Sequence, residues 1–156
     1  MGLGGDGSLY DHCVEDGPFS KYKWQLLKVA GGGCLNRYFW YESLTGDTKH
    51  VNRTLSLPLE DFFDFEQIVR DIYHAEVHDF IGGTMLTGNS SSNAPEVILH
   101  HSFLDKLWLQ WQNKGEEYKN IYFPRLHLRL PGSNYHGWEW LDSNNLPGQV
   151  KVLYQD

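Results

Sequence analysis

His74-Ala75-Glu76-Val77-His78 and, further along, His100-His101-Ser102-Phe103-Leu104-Asp105-Lys106-Leu107-Trp108-Leu109-Gln110-Trp111-Gln112 are the stretches that decide the fold. Residues four apart on a helix lie one turn above each other on one face, so the first stretch presents two imidazoles side by side. A third imidazole from a neighbouring helix completes a three-nitrogen metal site with an open position, the arrangement of catalytic rather than structural centres. The apolar pattern agrees with two helices. Phe62, Phe63, Phe65, Ile68, Val69, Ile72 and Val77 recur near helical spacing between residues 59 and 81, with Asp61 or Asp64 to favour the start and Gly82-Gly83 to end it. Asn93-Ala94-Pro95-Glu96 opens a second helix, over about 94–112, with a side-chain cap, an early proline and an acidic first turn. Leu99, Phe103, Leu104, Leu107, Trp108 and Trp111 are expected on its buried side.

These stretches closely resemble the copper-B signature of the tyrosinase and haemocyanin family, H-x-x-x-H, then I/V-G-G-x-M, then HH-x-x-x-D-x-x-W-x-x-WQ. Ile81-Gly82-Gly83-Thr84-Met85 supplies the middle portion. Cys13-Val14-Glu15-Asp16-Gly17-Pro18-Phe19 resembles the family's C-V-x-D-G-P-F segment, which follows its copper-A helices, and Cys34-Leu35-Asn36-Arg37 resembles its C-L-x-R segment. Both are connecting structure in the family and are read the same way here. The resemblance implies a mainly α fold, half of a tyrosinase-type four-helix bundle, with metal helices about 59–81 and 94–112, long loops and short strands.

The resemblance also assigns roles. His74, His78 and His101 become the metal ligands, because the second histidine of the HH pair is the ligand in the family, and His100 becomes a neighbouring packed imidazole. Glu66, two turns before His74, stands where tyrosinases place a water-orienting glutamate, so it reads as a general base or proton relay, or else as a solvated helix acid. Asp105, one turn past His101, either holds a ligand imidazole by a hydrogen bond or serves as a structural ion-pair partner.

Departures from the family pattern shape the functional expectation. Ala75 stands where monophenol-oxidising members usually carry Asn, Ala94-Pro95 replaces the D-P before the HH helix, and Val97 takes the place of an aromatic residue beside the copper pair. Before His74 the sequence holds only His12 and His50, so the family's copper-A set is not among these residues. One divalent metal per chain is therefore expected, zinc favoured and copper possible, since three neutral imidazoles suit both ions. Zinc has no redox chemistry, which points to a non-oxidative Lewis-acid reaction on a small aromatic substrate. That resembles the cyclopenase type of fungal haemocyanin-like protein in secondary metabolism, which contracts the epoxide cyclopenin to viridicatin. The alternatives are a phenol or catechol oxidase drawing its second copper set from another chain or segment, and a non-catalytic metal-binding protein.

Composition narrows the rest. The 156 residues read as one domain over 1–156, and the net charge of −7 with no basic patch argues against nucleic acid as a partner. The opening Met1-Gly2-Leu3-Gly4-Gly5 is no signal peptide, and no run approaches the ~18 apolar residues of a membrane span, so no membrane partner and a cytoplasmic location are expected. Cys13 and Cys34 can be free thiols or one disulfide; a cytosolic setting would keep them reduced. The tail alternates over Leu126-His127-Leu128-Arg129-Leu130 and ends near Val150-Lys151-Val152-Leu153, consistent with loops and short strands. Two amphipathic helices need a cover for their apolar faces, and a homodimer is the expected way to supply it.

Overall fold

The computed structural model describes residues 2–40, 46–123 and 128–155. Helix formation begins at Asp47, whose side-chain oxygen accepts from the His50 backbone N–H at 2.7 Å and caps α1 (Thr48–Leu55). The expected first metal helix is helical throughout, but in pieces. A short 3₁₀ turn at Leu59–Asp61 leads into α2 (Phe62–Ile68), a π-helical stretch (Val69–His74) and α3 (Ala75–Ile81). The second metal helix is α4 (Pro95–Gln112), followed by the short α5 (Glu116–Lys119). The fold is mainly helical, and β structure among the described residues is limited to isolated antiparallel bridges.

Several expectations need correction. Asn93 does not cap α4: it closes a 3₁₀ turn, the cap position is Ala94 and no side chain bonds there, so Pro95 and Glu96 open the helix unaided by Asn93. The tail forms single bridges, Arg129 with His136 and Leu146 with Val150, rather than strands, because the intervening turns leave one paired residue on each side. Leu126 and His127 lie outside the described residues. The buried stripe of α4 runs through Glu96, His100, Leu107 and Trp111, while Leu99 and Phe103 are 63% and 47% exposed. Trp108 and Trp111, expected to await a partner's cover, are packed inside the chain.

Two cores hold α4 at its ends. Near its C-terminus Trp111 stacks on Phe65 at 4.6 Å between ring centres, Phe62 packs beside them, and Tyr118, Ile121 and Phe123 fold back over the cluster. The indole N–H of Trp111 donates to the Leu57 carbonyl at 3.2 Å, which satisfies the one polar atom such a ring brings into the core. At the other end Val14, Leu35, Met85 and Ala94 form a second cluster, with Phe19, Ile81 and Val97 against it. Cys13 and Cys34 are joined in a disulfide beside this cluster. That settles the open question of their state as one disulfide rather than two free thiols. No helix among the described residues is long and apolar enough to cross a membrane.

Arg37 ties these parts together. Its guanidinium is 3% exposed and makes a two-pronged pair with Glu96, Nε to Oε1 at 3.0 Å and Nη2 to Oε2 at 3.1 Å. The remaining donors reach the carbonyls of Leu3, Gly4 and Gly5 at 2.9–3.0 Å, so all five N–H groups are used. One side chain thereby fastens the N-terminal loop to the first turn of α4. Arg37→Leu leaves the Glu96 carboxylate buried without its partner, and denaturant unfolding is expected to show a loss of about 3–5 kcal/mol. A loss below about 1 kcal/mol, the worth of an exposed pair, would show that the pair is not structural.

Candidate metal centre

Four histidines converge between the two cores. One ligand-capable atom from each of His74, His78, His100 and His101 lies within 4.8 Å of the others, and among the described residues no carboxylate joins the group. His74 ends the π-helical stretch and His78 sits one turn later on α3; His100 and His101 come from α4. The π turn has a local cause visible in its bonds, since the Ala75 N–H reaches the Arg70 carbonyl five residues back. Such single turns concentrate at functional sites because they shift side chains off the regular helical register. The Arg70 backbone also acts on the His74 ring, opposing the lowering of its pKa.

Backbone carbonyls fix the other rings. His78 Nδ1 lies 2.6 Å from the Met85 carbonyl, and because a carbonyl only accepts, Nδ1 carries the proton and Nε2 keeps its lone pair. Gly82 and Gly83 make this return possible. Both have positive φ, at 62° and 54°, and a Cβ there would stand 2.6 Å from the Tyr38 carbonyl oxygen or 2.5 Å from that of Asn36. The chain therefore reverses tightly after α3 and brings Met85 back beneath His78. His100 Nε2 donates to the His74 carbonyl at 3.2 Å, which directs that nitrogen to backbone.

The remaining geometry suits a metal. His78 Nε2 and His101 Nε2 are 3.4 Å apart. Two imidazole nitrogens sharing a tetrahedral ion at ordinary bond lengths would be separated by roughly 3.3–3.4 Å. Burial, ahead of the neighbouring imidazoles, lowers the pKa values of His74 and His101; His100, the most buried, is lowered to about 4. All three are therefore neutral at pH 7, the state in which imidazole binds metal. His101 is exposed, and His74, His78 and His101 face an open groove of about 600 Å³ with Ala75, Met85, Val97 and Ile98 on its walls.

Two other expected residues are placed elsewhere. Glu66 Oε1 accepts from Arg70 Nε at 2.9 Å, one turn along its own helix, and is not in the histidine group. Asp105 accepts a hydrogen bond from the Tyr154 hydroxyl of the tail. Residues that sequence reasoning missed are mostly carbonyls, those of His74 and Met85, which have no side-chain signature. Arg37 and Glu96 were read only as connecting structure and a helix-opening acid. The Gly82-Gly83 pair marked the turn, yet not where it leads.

Comparison with known proteins agrees with this geometry. Residues 4–114 match the family described as the common central domain of tyrosinase. The tyrosinase of Streptomyces glaucescens is 32% identical over 127 residues, covering 72% of this chain and 46% of that protein. The tyrosinase-like protein phomQ2 of Diaporthe leptostromiformis is 29% identical over 150 residues, covering 81% of this chain and 36% of that protein. Hemocyanin 2 of Megathura crenulata is 35% identical over 83 residues, covering 50% of this chain and 2% of that protein. The chain thus spans less than half the length of these relatives. By its match across the central domain and by its histidine group, the chain belongs to the tyrosinase family.

Proposed function

We propose that the chain supplies the copper-B half of a two-copper centre that oxidises phenols or catechols. The observation that carries this reading is the set of His74, His78 and His101 opening onto an apolar groove, in a chain whose relatives are named tyrosinases. Copper, when bound, would supply the redox chemistry with dioxygen. The protein's part is to hold and orient. The Met85 carbonyl keeps the His78 Nε2 lone pair directed at the site, His100 steadies the His74 backbone, and Met85, Val97 and Ile98 offer apolar wall to an aryl ring. Glu66 is the residue assigned to proton movement, two turns before His74 and only 20% exposed, once it parts from Arg70.

In this reading the second three-histidine set comes from another chain or from sequence outside these 156 residues. A second copy is the partner we propose, seated over the face of α4 where Ile98 and His101 are exposed and the groove opens. A second reading keeps one zinc ion on the same three nitrogens and a non-oxidative, cyclopenase-like rearrangement of an aromatic alkaloid. Ala75 favours it, standing on the groove wall where a water-holding Asn would serve hydroxylation.

Metal content and oxygen uptake separate the two. Tight copper binding with oxygen consumed on catechol is expected; one zinc per chain with no oxygen uptake would favour the rearrangement. His74→Ala, His78→Ala and His101→Ala should each abolish stoichiometric metal binding, since two imidazoles are too few for a tight site, whereas His100→Ala should weaken it only. Metal lost from His100→Ala and kept in His101→Ala would reverse the ligand assignment. Glu66→Gln should keep the metal and lose about 10²–10⁴ in rate; unchanged turnover would leave Glu66 as the ion-pair partner of Arg70 alone. Light scattering at micromolar concentration should give a dimer, and a stable monomer would remove the second copy from the proposal.

A further inference from the structure

The turn that returns Met85 to His78 is held from outside the metal helices. Asn36 and Thr84 exchange two hydrogen bonds: the Asn36 N–H donates to Thr84 Oγ1 at 2.9 Å, and the Thr84 N–H donates to the Asn36 carbonyl at 3.0 Å. Thr84 is buried and immediately precedes Met85, whose carbonyl holds His78 Nδ1. Asn36 is in turn fastened to the Cys13–Cys34 disulfide. It pairs with Cys13 in an antiparallel bridge, and its side-chain amide donates to the Asp11 carbonyl at 3.0 Å and lies 3.6 Å from Cys34 Sγ. A second route runs through packing, because Val14 and Leu35, the residues that follow the two cysteines, are fully buried in one cluster with Met85.

Both routes begin at the disulfide and end on the residue whose carbonyl orients His78. The bond closes a loop whose ends are 21 residues apart, so opening it returns conformational freedom to the segment around Cys13. Arg37, next to Asn36, stays held by Glu96 and by the carbonyls of Leu3, Gly4 and Gly5, so the Asn36 segment loosens on its cysteine side without leaving α4. We propose that Asn36 and Thr84 are positioning residues for His78 and that the disulfide sets their grip, so that a dithiol reductant weakens the metal site while the fold persists. The step is a two-electron exchange. A thiolate of the reductant attacks Cys34 Sγ, the more exposed sulfur, and Cys13 leaves as a thiolate that takes up a proton. The reductant's second thiol loses its proton, closes the reductant's own disulfide and releases Cys34. The proposal rests on the histidine group holding metal, and adds to it what keeps one ligand in place.

Two readouts on the full chain test it without any oxidation: the ring-nitrogen NMR shifts of His78 in the metal-free protein, and the affinity for Zn²⁺ as a redox-silent probe. The disulfide form should show a single His78 tautomer with the proton on Nδ1. Cys13→Ser/Cys34→Ser opens the loop without giving zinc new thiols, and it should mix the His78 tautomers and lower Zn²⁺ affinity about tenfold, at the modest end for loss of a group that orients a ligand. Protein treated with dithiothreitol and then freed of it should show the same His78 shifts, and reoxidation should reverse them. Thr84→Val removes the acceptor of the Asn36 N–H with the disulfide intact and should reproduce both changes, whereas Thr84→Ser, which keeps the hydroxyl, should behave as the unaltered chain. Unchanged His78 shifts in the folded double-serine protein, unchanged shifts in Thr84→Val, or global unfolding on reduction would each overturn the proposal. Failure of the disulfide form to bind Zn²⁺ or copper would instead count against the metal reading, and the His78 shifts would still decide whether the disulfide positions that ring.

Discussion

A buried, two-pronged ion pair between Arg37 and Glu96 is the constraint on which the histidine site depends. Removing both charges from water is costly, and it is tolerated here because every guanidinium N–H finds an acceptor, two on Glu96 and three on the carbonyls of Leu3, Gly4 and Gly5. Glu96 sits in the first turn of α4, four residues before His100. Fixing that turn fixes the direction of the helix that carries two of the four histidines. The neighbouring disulfide and the cluster of Val14, Leu35, Met85 and Ala94 hold the same end, so the N-terminal loops act as a brace for α4.

At the far end of α4 the restraint is aromatic rather than ionic. Trp111 and Phe65 stack, and residues 118–123 close over them. The helix is therefore pinned on both sides of His100 and His101, and α2 with α3 lies across it. The ring orientations then follow from backbone oxygens. His74 and Met85 each offer a carbonyl to an imidazole nitrogen, which occupies one nitrogen of His100 and one of His78 and leaves His78 Nε2 facing His101 Nε2. Preorganisation of this kind lowers the reorganisation that metal binding would otherwise require.

Much of this was legible in the sequence for a physical reason: the elements that carry the histidines are marked by periodicity, by Gly82-Gly83 and by Pro95. The extents of the two metal helices, 59–81 and 94–112, follow from those signals alone. Other features left no such trace. A π turn at Val69–His74 depends on which carbonyl an N–H reaches, and nothing in the residue types of Val-Arg-Asp-Ile-Tyr-His announces it. The burial of α4 was misjudged by one face, because Glu96 and His100 look polar in sequence yet point inward to Arg37 and to the His74 carbonyl, turning Leu99 and Phe103 outward. Helix α1 lies outside the sequence expectations altogether, because a single acid three residues before His50 does not announce a cap on its own.

The most direct measurement is anomalous scattering from crystals of the metal-loaded protein, collected on both sides of the copper and zinc absorption edges. The expected result is one ion bonded to nitrogens of His74, His78 and His101, with His78 Nδ1 still on the Met85 carbonyl and His100 Nε2 still on the His74 carbonyl. An ion bonded to His100 in place of His101, or no ion among these histidines in metal-saturated crystals, would contradict it.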